Sequence, residues 1–104
     1  EVFMIVEEMP EFPGGNAALM KYLANAVKFP VIAQENGIQG RVYVQFVISA
    51  KGEVTNAVIL RGVDSSLDKE ALRVVQNMPK WKPGKQRNRP VRVSYTVPIN
   101  FVLQ

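Results

Sequence analysis

The sequence contains no histidine and no cysteine. Without cysteine there is no disulfide framework and no thiolate metal site. Without histidine, Ser–His hydrolysis, His-ligated zinc and imidazole acid–base catalysis are all excluded. Long apolar runs are missing too: none approaches the ~18 residues that a membrane span needs, and no secretory signal is visible. Carboxylate-pair chemistry stays formally open, but its nearest candidates, Asp64, Asp68 and Glu70, sit where a helix is expected to begin. Acids in a first helical turn favour the macrodipole, so their reading is structural. The expectation is a protein that is not an enzyme and uses no metal or other cofactor.

What is present reads as a single globular domain of 104 residues, 47% hydrophobic and 21% charged. A chain that starts at Glu1 rather than methionine is expected to be a piece of a longer protein. Its anchor or targeting segment would then lie outside it. Residues 1–12 read as an N-terminal extension or linker, and residues 13–104 as the folded domain.

The C-terminal stretch is the most informative. Val91, Val93, Tyr95, Val97, Ile99, Phe101 and Leu103 alternate with Arg92, Ser94, Thr96, Pro98 and Asn100. One apolar face and one wet face over thirteen residues predict a long strand. Pro98 has no N–H to donate, which confines such a strand to a sheet edge or a bulge. A long edge strand exposes backbone groups that can template another chain, so this segment is a candidate docking surface for an extended peptide.

Earlier segments supply the rest of the architecture. Val2 to Val6 is a short apolar run that suits a marginal strand of unspecified partner. After Pro13-Gly14-Gly15, Asn16 is placed to cap a helix with Leu19, Leu23, Ala26 and Val27 at helical spacing. Phe29-Pro30 stops that helix and opens a short second one over Val31 to Asn36, ended by Gly37. Val42, Val44, Phe46 and Ile48 form a strand face, Ala50-Lys51-Gly52 a turn, and Val54 to Leu60 the returning strand. A Ser65-Ser66 cap then begins a helix with Leu67, Ala71, Val74, Val75 and Met78 on one face. Trp81-Lys82-Pro83-Gly84 starts a polar loop, with Gly84 and Gly52 as turn residues. The expected fold class is α+β: a three-stranded antiparallel sheet, with room for an extra N-terminal strand, and helices on one face. The economical strand order puts the first hairpin strand in the centre and the proline-bearing strand at an outer edge.

Charge is uneven along the chain. Lys80, Lys82, Lys85, Arg87, Arg89 and Arg92 place six of thirteen basic residues in one window around Trp81. Such a patch can neutralise phosphates, and a small basic nucleic-acid-binding domain is one alternative. A single tryptophan ahead of Lys-Pro suits a packed anchor better than a stacking platform, so no nucleic-acid partner is expected. A patch of this sign also speeds association with acidic peptides.

Taken together, several motifs resemble the TonB C-terminal domain family. They are Phe12-Pro13-Gly14-Gly15, Phe29-Pro30 before Ala33, Gly40 to Ile48, Lys51-Gly52-Glu53-Val54 with Val58-Ile59-Leu60, Leu67 to Ala71, Trp81 to Lys85, and Val97-Pro98-Ile99-Asn100-Phe101. The first and last of these resemble the Bacteroidetes-type branch. The resemblance departs at Asn88, where relatives often carry glycine; asparagine tolerates the left-handed conformation better than most residues. It implies the periplasmic domain of an energy transducer anchored in the inner membrane of a Gram-negative cell. Such a domain grips the TonB box of outer-membrane receptors by strand addition, while other regions meet the ExbB/ExbD motor. Carried onto this chain, the edge comprises Val91, Arg92, Val93, Ser94, Tyr95, Thr96, Val97, Ile99, Asn100 and Phe101. Phe29 and Pro30 match an aromatic–proline motif near the receptor contact, and Arg87, Arg89 and Arg92 are expected to steer an acidic segment. Pairing of two domains through their edges, and a partner-binding role in a membrane peptidase-like sensor, are the alternatives that the resemblance leaves open.

Overall fold

The computed structural model describes all residues, Glu1–Gln104. Chain order is β1 (Val2–Phe3), α1 (Asn16–Ala26), α2 (Val31–Glu35), β2 (Gly40–Ile48), β3 (Val54–Arg61), α3 (Ser65–Gln76), β4 (Gly84–Gln86) and β5 (Arg89–Phe101). The sheet order is β1-β5-β2-β3, with β4 hydrogen-bonded to the start of β5. The α+β class and the central position of the first hairpin strand are as expected. The sheet is larger, however: β1 joins β5 in parallel, and β4 turns the expected polar loop into a hairpin.

That hairpin follows from two backbone choices. Arg87 and Asn88 both have positive φ, 52° and 62°. Two consecutive residues of this kind make the turn whose twist matches flanking antiparallel strands. Asn88 is a residue type that suits it; Arg87 is not, and its N–H is held by the Glu7 carboxylate at 2.6 Å. The last strand consequently begins two residues before the expected Val91 and ends at Phe101 rather than Leu103.

Both helix caps fall one residue earlier than the sequence reading. Gly15 precedes α1, with no side-chain cap, and Asn16 is already helical. Asp64 caps α3, its carboxylate accepting the Ser66 N–H at 2.9 Å and the Ser66 hydroxyl. Those bonds, the hydroxyl's first, hold its carboxyl below the usual range. The acids near the α3 start are thus structural: Asp68 accepts the Val63 N–H at 3.0 Å, and Glu70 binds Arg73 through both oxygens.

The core lies between the helices and one face of β5-β2-β3. Val42, Val44, Phe46 and Ile48 meet Val97, Ile99 and Phe101 beneath Leu19, Leu23, Leu67, Ala71 and Val75. Trp81 is 4% exposed, edge-on to Phe12, Phe46 and Tyr95. Its enclosed ring offers no platform for a base, consistent with an anchor. Gly52 lets the β2–β3 turn dock there: Trp81 N–H donates to Gly52 O at 2.8 Å, and a Cβ on Gly52 would sit 1.9 Å from Trp81 O. Gly84 is not a turn glycine. It lies within β4, where a Cβ would meet Val93 at 2.8 Å.

The first twelve residues lie against the domain. Val6 and Phe12 are buried, and Glu8 and Glu11 bridge to Lys85 and Lys82 in antiparallel fashion. No helix is long and apolar enough to cross a membrane.

Candidate functional site

The outer edge of β5 can be read residue by residue. Ser49 N–H bonds Glu53 O across the β2–β3 turn. Backbone groups alternate sides along a strand, so the odd residues of β2 address β3 and the even ones address β5. The β2–β5 register runs from Gly40↔Phe101 to Ile48↔Val93 without a shift. On β5, Val93, Tyr95, Val97, Ile99 and Phe101 therefore bond inward, and Ser94, Thr96, Pro98 and Asn100 turn outward. Pro98 sits where its missing N–H breaks no ladder bond. The parallel Phe3↔Val93 pairing engages the Ser94 N–H with the Phe3 carbonyl, so the exposed row offers the C=O of Ser94 and Pro98 and the N–H and C=O of Thr96 and Asn100.

β1 occupies the beginning of this edge. It pairs Val2 with Arg92 and Phe3 with Val93, on the side of β5 opposite β2. Val91 faces β4 instead, opposite Gly84. The expected edge of Val91 to Phe101 is thus open to another strand only from the Ser94 carbonyl onward.

A groove of about 440 Å³ runs beside the open part, between α1 and the end of β5. Met20, Leu23, Ala24 and Val27 form its helical wall, Phe29 its end, and Pro98 to Phe101 its strand wall. Phe29 stands edge-on to Phe101, ring centroids 5.8 Å apart. Of the sequence-derived contacts, the fold brings Phe29 to the edge strand; Pro30 opens α2 beside it. The helical wall was missed. Met20, Ala24 and Val27 recur at i, i+4 and i+7, and this second apolar stripe beside Leu19 and Leu23 is its signal.

The wall is fixed in place by α3. Tyr22 Oη donates to Val74 O at 2.7 Å, Arg73 donates to Ala26 O at 3.0 Å, and Lys28 N–H donates to Glu70 at 2.7 Å. The Arg73 hydrogen bond lowers the Glu70 pKa despite partial burial, while burial raises that of Tyr22. Arg73–Glu70, at 2.7 Å, is the only ion pair in the structure.

Arg87, Arg89 and Arg92 lie at the far end of β5. From Arg89 to Asn100 is roughly 35 Å along the strand at about 3.3 Å per residue. The three are exposed, and the acidic segment Glu7–Glu11 runs beside their hairpin. The fold does not bring them to the groove.

The comparisons agree with this geometry. The family model described as Gram-negative bacterial TonB protein C-terminal matches residues 25–103. Two solution structures of the Helicobacter pylori TonB C-terminal domain are similar, each with TM-score 0.63. One is 25% identical, over 85% of this chain and 92% of that one. The other is 24% identical, over 83% and 78%, and bears on the fold alone. No curated protein sequence matches. An antiparallel β5-β2-β3 sheet under packed helices, with the family model covering most of the chain, leads to one conclusion: this protein belongs to the TonB C-terminal family.

Proposed function

We propose that this is the periplasmic C-terminal domain of a TonB-like energy transducer, which binds the TonB box of outer-membrane receptors by adding it as a strand to β5. The observation that carries the reading is the unpaired, unshifted row of backbone groups from the Ser94 carbonyl through Thr96, Pro98 and Asn100 beside an apolar groove. Strand addition supplies main-chain hydrogen bonds, and alternate side chains of the added segment enter the groove. Phe29 closes the groove, so Phe29 contacts the guest and Pro30 orients it. Arg87, Arg89 and Arg92 act before contact, raising the encounter rate with acidic receptor segments.

The geometry also suits a load-bearing role. Tension along an added strand is shared by several backbone bonds at once. The domain binds and transmits; it performs no chemistry of its own. The motor complex is engaged by regions outside these residues.

Titration of the labelled domain with TonB-box peptides from receptors of the same organism tests this. Shifts at the Thr96 and Asn100 amides are expected. Binding that leaves those amides unmoved overturns the reading.

A further inference from the structure

The helix-free face of the sheet is cationic, and nothing on it answers that charge. β2, β3 and β5 contain no Asp or Glu between them. Arg41 and Arg61 nevertheless lie on this face, flanking Tyr43, which pairs with Arg61 across the strands. Neither arginine is in an ion pair. The carboxylate nearest this end of β3, Asp68, is turned to Val63 N–H at 3.0 Å.

Arg41 reaches across to the docking strand. Its Nε–H donates to Asn100 Oδ1 at 2.7 Å, and its Nη1 lies 3.4 Å from Tyr43 Oη. The first contact settles the orientation of the Asn100 amide: the oxygen faces the arginine, and Nδ2 keeps two hydrogens with no partner. The Asn100 backbone N–H also points to the open edge. One exposed position therefore presents three unsatisfied donors with a guanidinium behind them.

Resting on the strand-addition reading, we propose that the added segment carries an acidic side chain on the helix-free face opposite Asn100, read by the Asn100 amide and Arg41. Adjacent strands lie about 4.8 Å apart, and directly opposed Cβ atoms about 5 Å apart. An Asp or Glu there reaches Nδ2 directly and comes within range of a guanidinium already leaning over β5. Bonds of this kind, with an ionised acceptor, are the strong ones. Apolar side chains of the guest then face the groove and one acid faces away from it, which defines its register. This subsite is separate from the Arg87–Arg92 cluster, which lies at the other end of the strand.

The test uses two synthetic nonapeptides of alternating valine and threonine. One carries a central Glu and the other a Gln at the same position. Both are expected to shift the Thr96 and Asn100 amides, with the Glu peptide binding about tenfold more tightly. Arg41→Gln is expected to remove most of that preference. Lys51→Gln, an equal charge change at the distant β2–β3 turn, is expected to keep it. Equal affinities on the native domain overturn the proposal while leaving strand addition standing, as does a preference lost equally in both variants. If neither peptide moves the β5 amides, the proposal falls together with the reading beneath it.

Discussion

The sheet has two outer edges, and they are built in opposite ways. β3 is bulged: its register with β2 shifts between Tyr43 and Val44 and again between Gln45 and Val47. Asn56 within it has φ 53°, and Val58 and Leu60 are 50% and 57% exposed. Bulges bend a strand and interrupt its row of backbone groups, which protects an edge from chance pairing. β5 has no such interruption over nine paired residues, and beyond Ser94 no neighbour on its outer side. A sheet that blunts one edge and keeps the other regular supports the proposal that the second takes up a partner strand. Pro98 limits that edge without spoiling it, since its missing donor belongs to the outward row.

Substitutions at neighbouring positions of β5 separate inward from outward roles. Val97→Pro removes a bond to β2 and a buried side chain, at a cost of at least about 3 kcal/mol. Against a typical stability of about 5–15 kcal/mol, chemical denaturation is expected to show a severely weakened or unfolded protein. Thr96→Pro removes only an outward donor. It is expected to leave the denaturation midpoint nearly unchanged and to weaken peptide binding about fivefold to tenfold, corresponding to about 1 kcal/mol for one hydrogen bond. Equal destabilisation by both would show that the assignment of sides is wrong.

Acid titration probes the wall beside the open edge. The Glu70 pKa is lowered in the fold, chiefly by its hydrogen bond to Arg73. A depressed carboxylate contributes stability above its unfolded pKa, and that contribution is lost as pH falls through the folded value. Thermal melts of the native domain are therefore expected to decline below the normal glutamate range near pH 4.5, and Glu70→Gln to flatten that decline. The smallest effect is expected at the bulged edge. Asn56→Gly relieves a left-handed position and is expected to change stability by less than about 1 kcal/mol, without creating peptide binding.

The long strand, the central hairpin and the three helices were legible because their apolar periods are uninterrupted. The exact extent of the free edge was not. β1 is two residues long, and nothing in Val2–Val6 specifies that Arg92 and Val93 will be its partners. The β4–β5 turn depends on a left-handed arginine whose N–H is held by Glu7, eighty residues away in sequence. Each cap was placed one residue late: at α1 a glycine with no side-chain bond stands before Asn16, and at α3 Asp64 competes with two serines for the same role. The pairing of Phe29 with Phe101 was not legible: a Phe-Pro pair alone reads as helix punctuation, and the family resemblance implied only that it lies near the receptor contact. The Arg41–Asn100 contact was hidden by fifty-nine residues of separation and becomes visible only once β2 and β5 are in register.

Hydrogen exchange of the domain bound to a receptor TonB-box peptide tests the contrast between the two edges most directly. The account predicts new protection at the Thr96 and Asn100 amides, with the outer edge of β3 unchanged. Protection appearing along Val54–Arg61 instead, or binding with no change at those two amides, would contradict it.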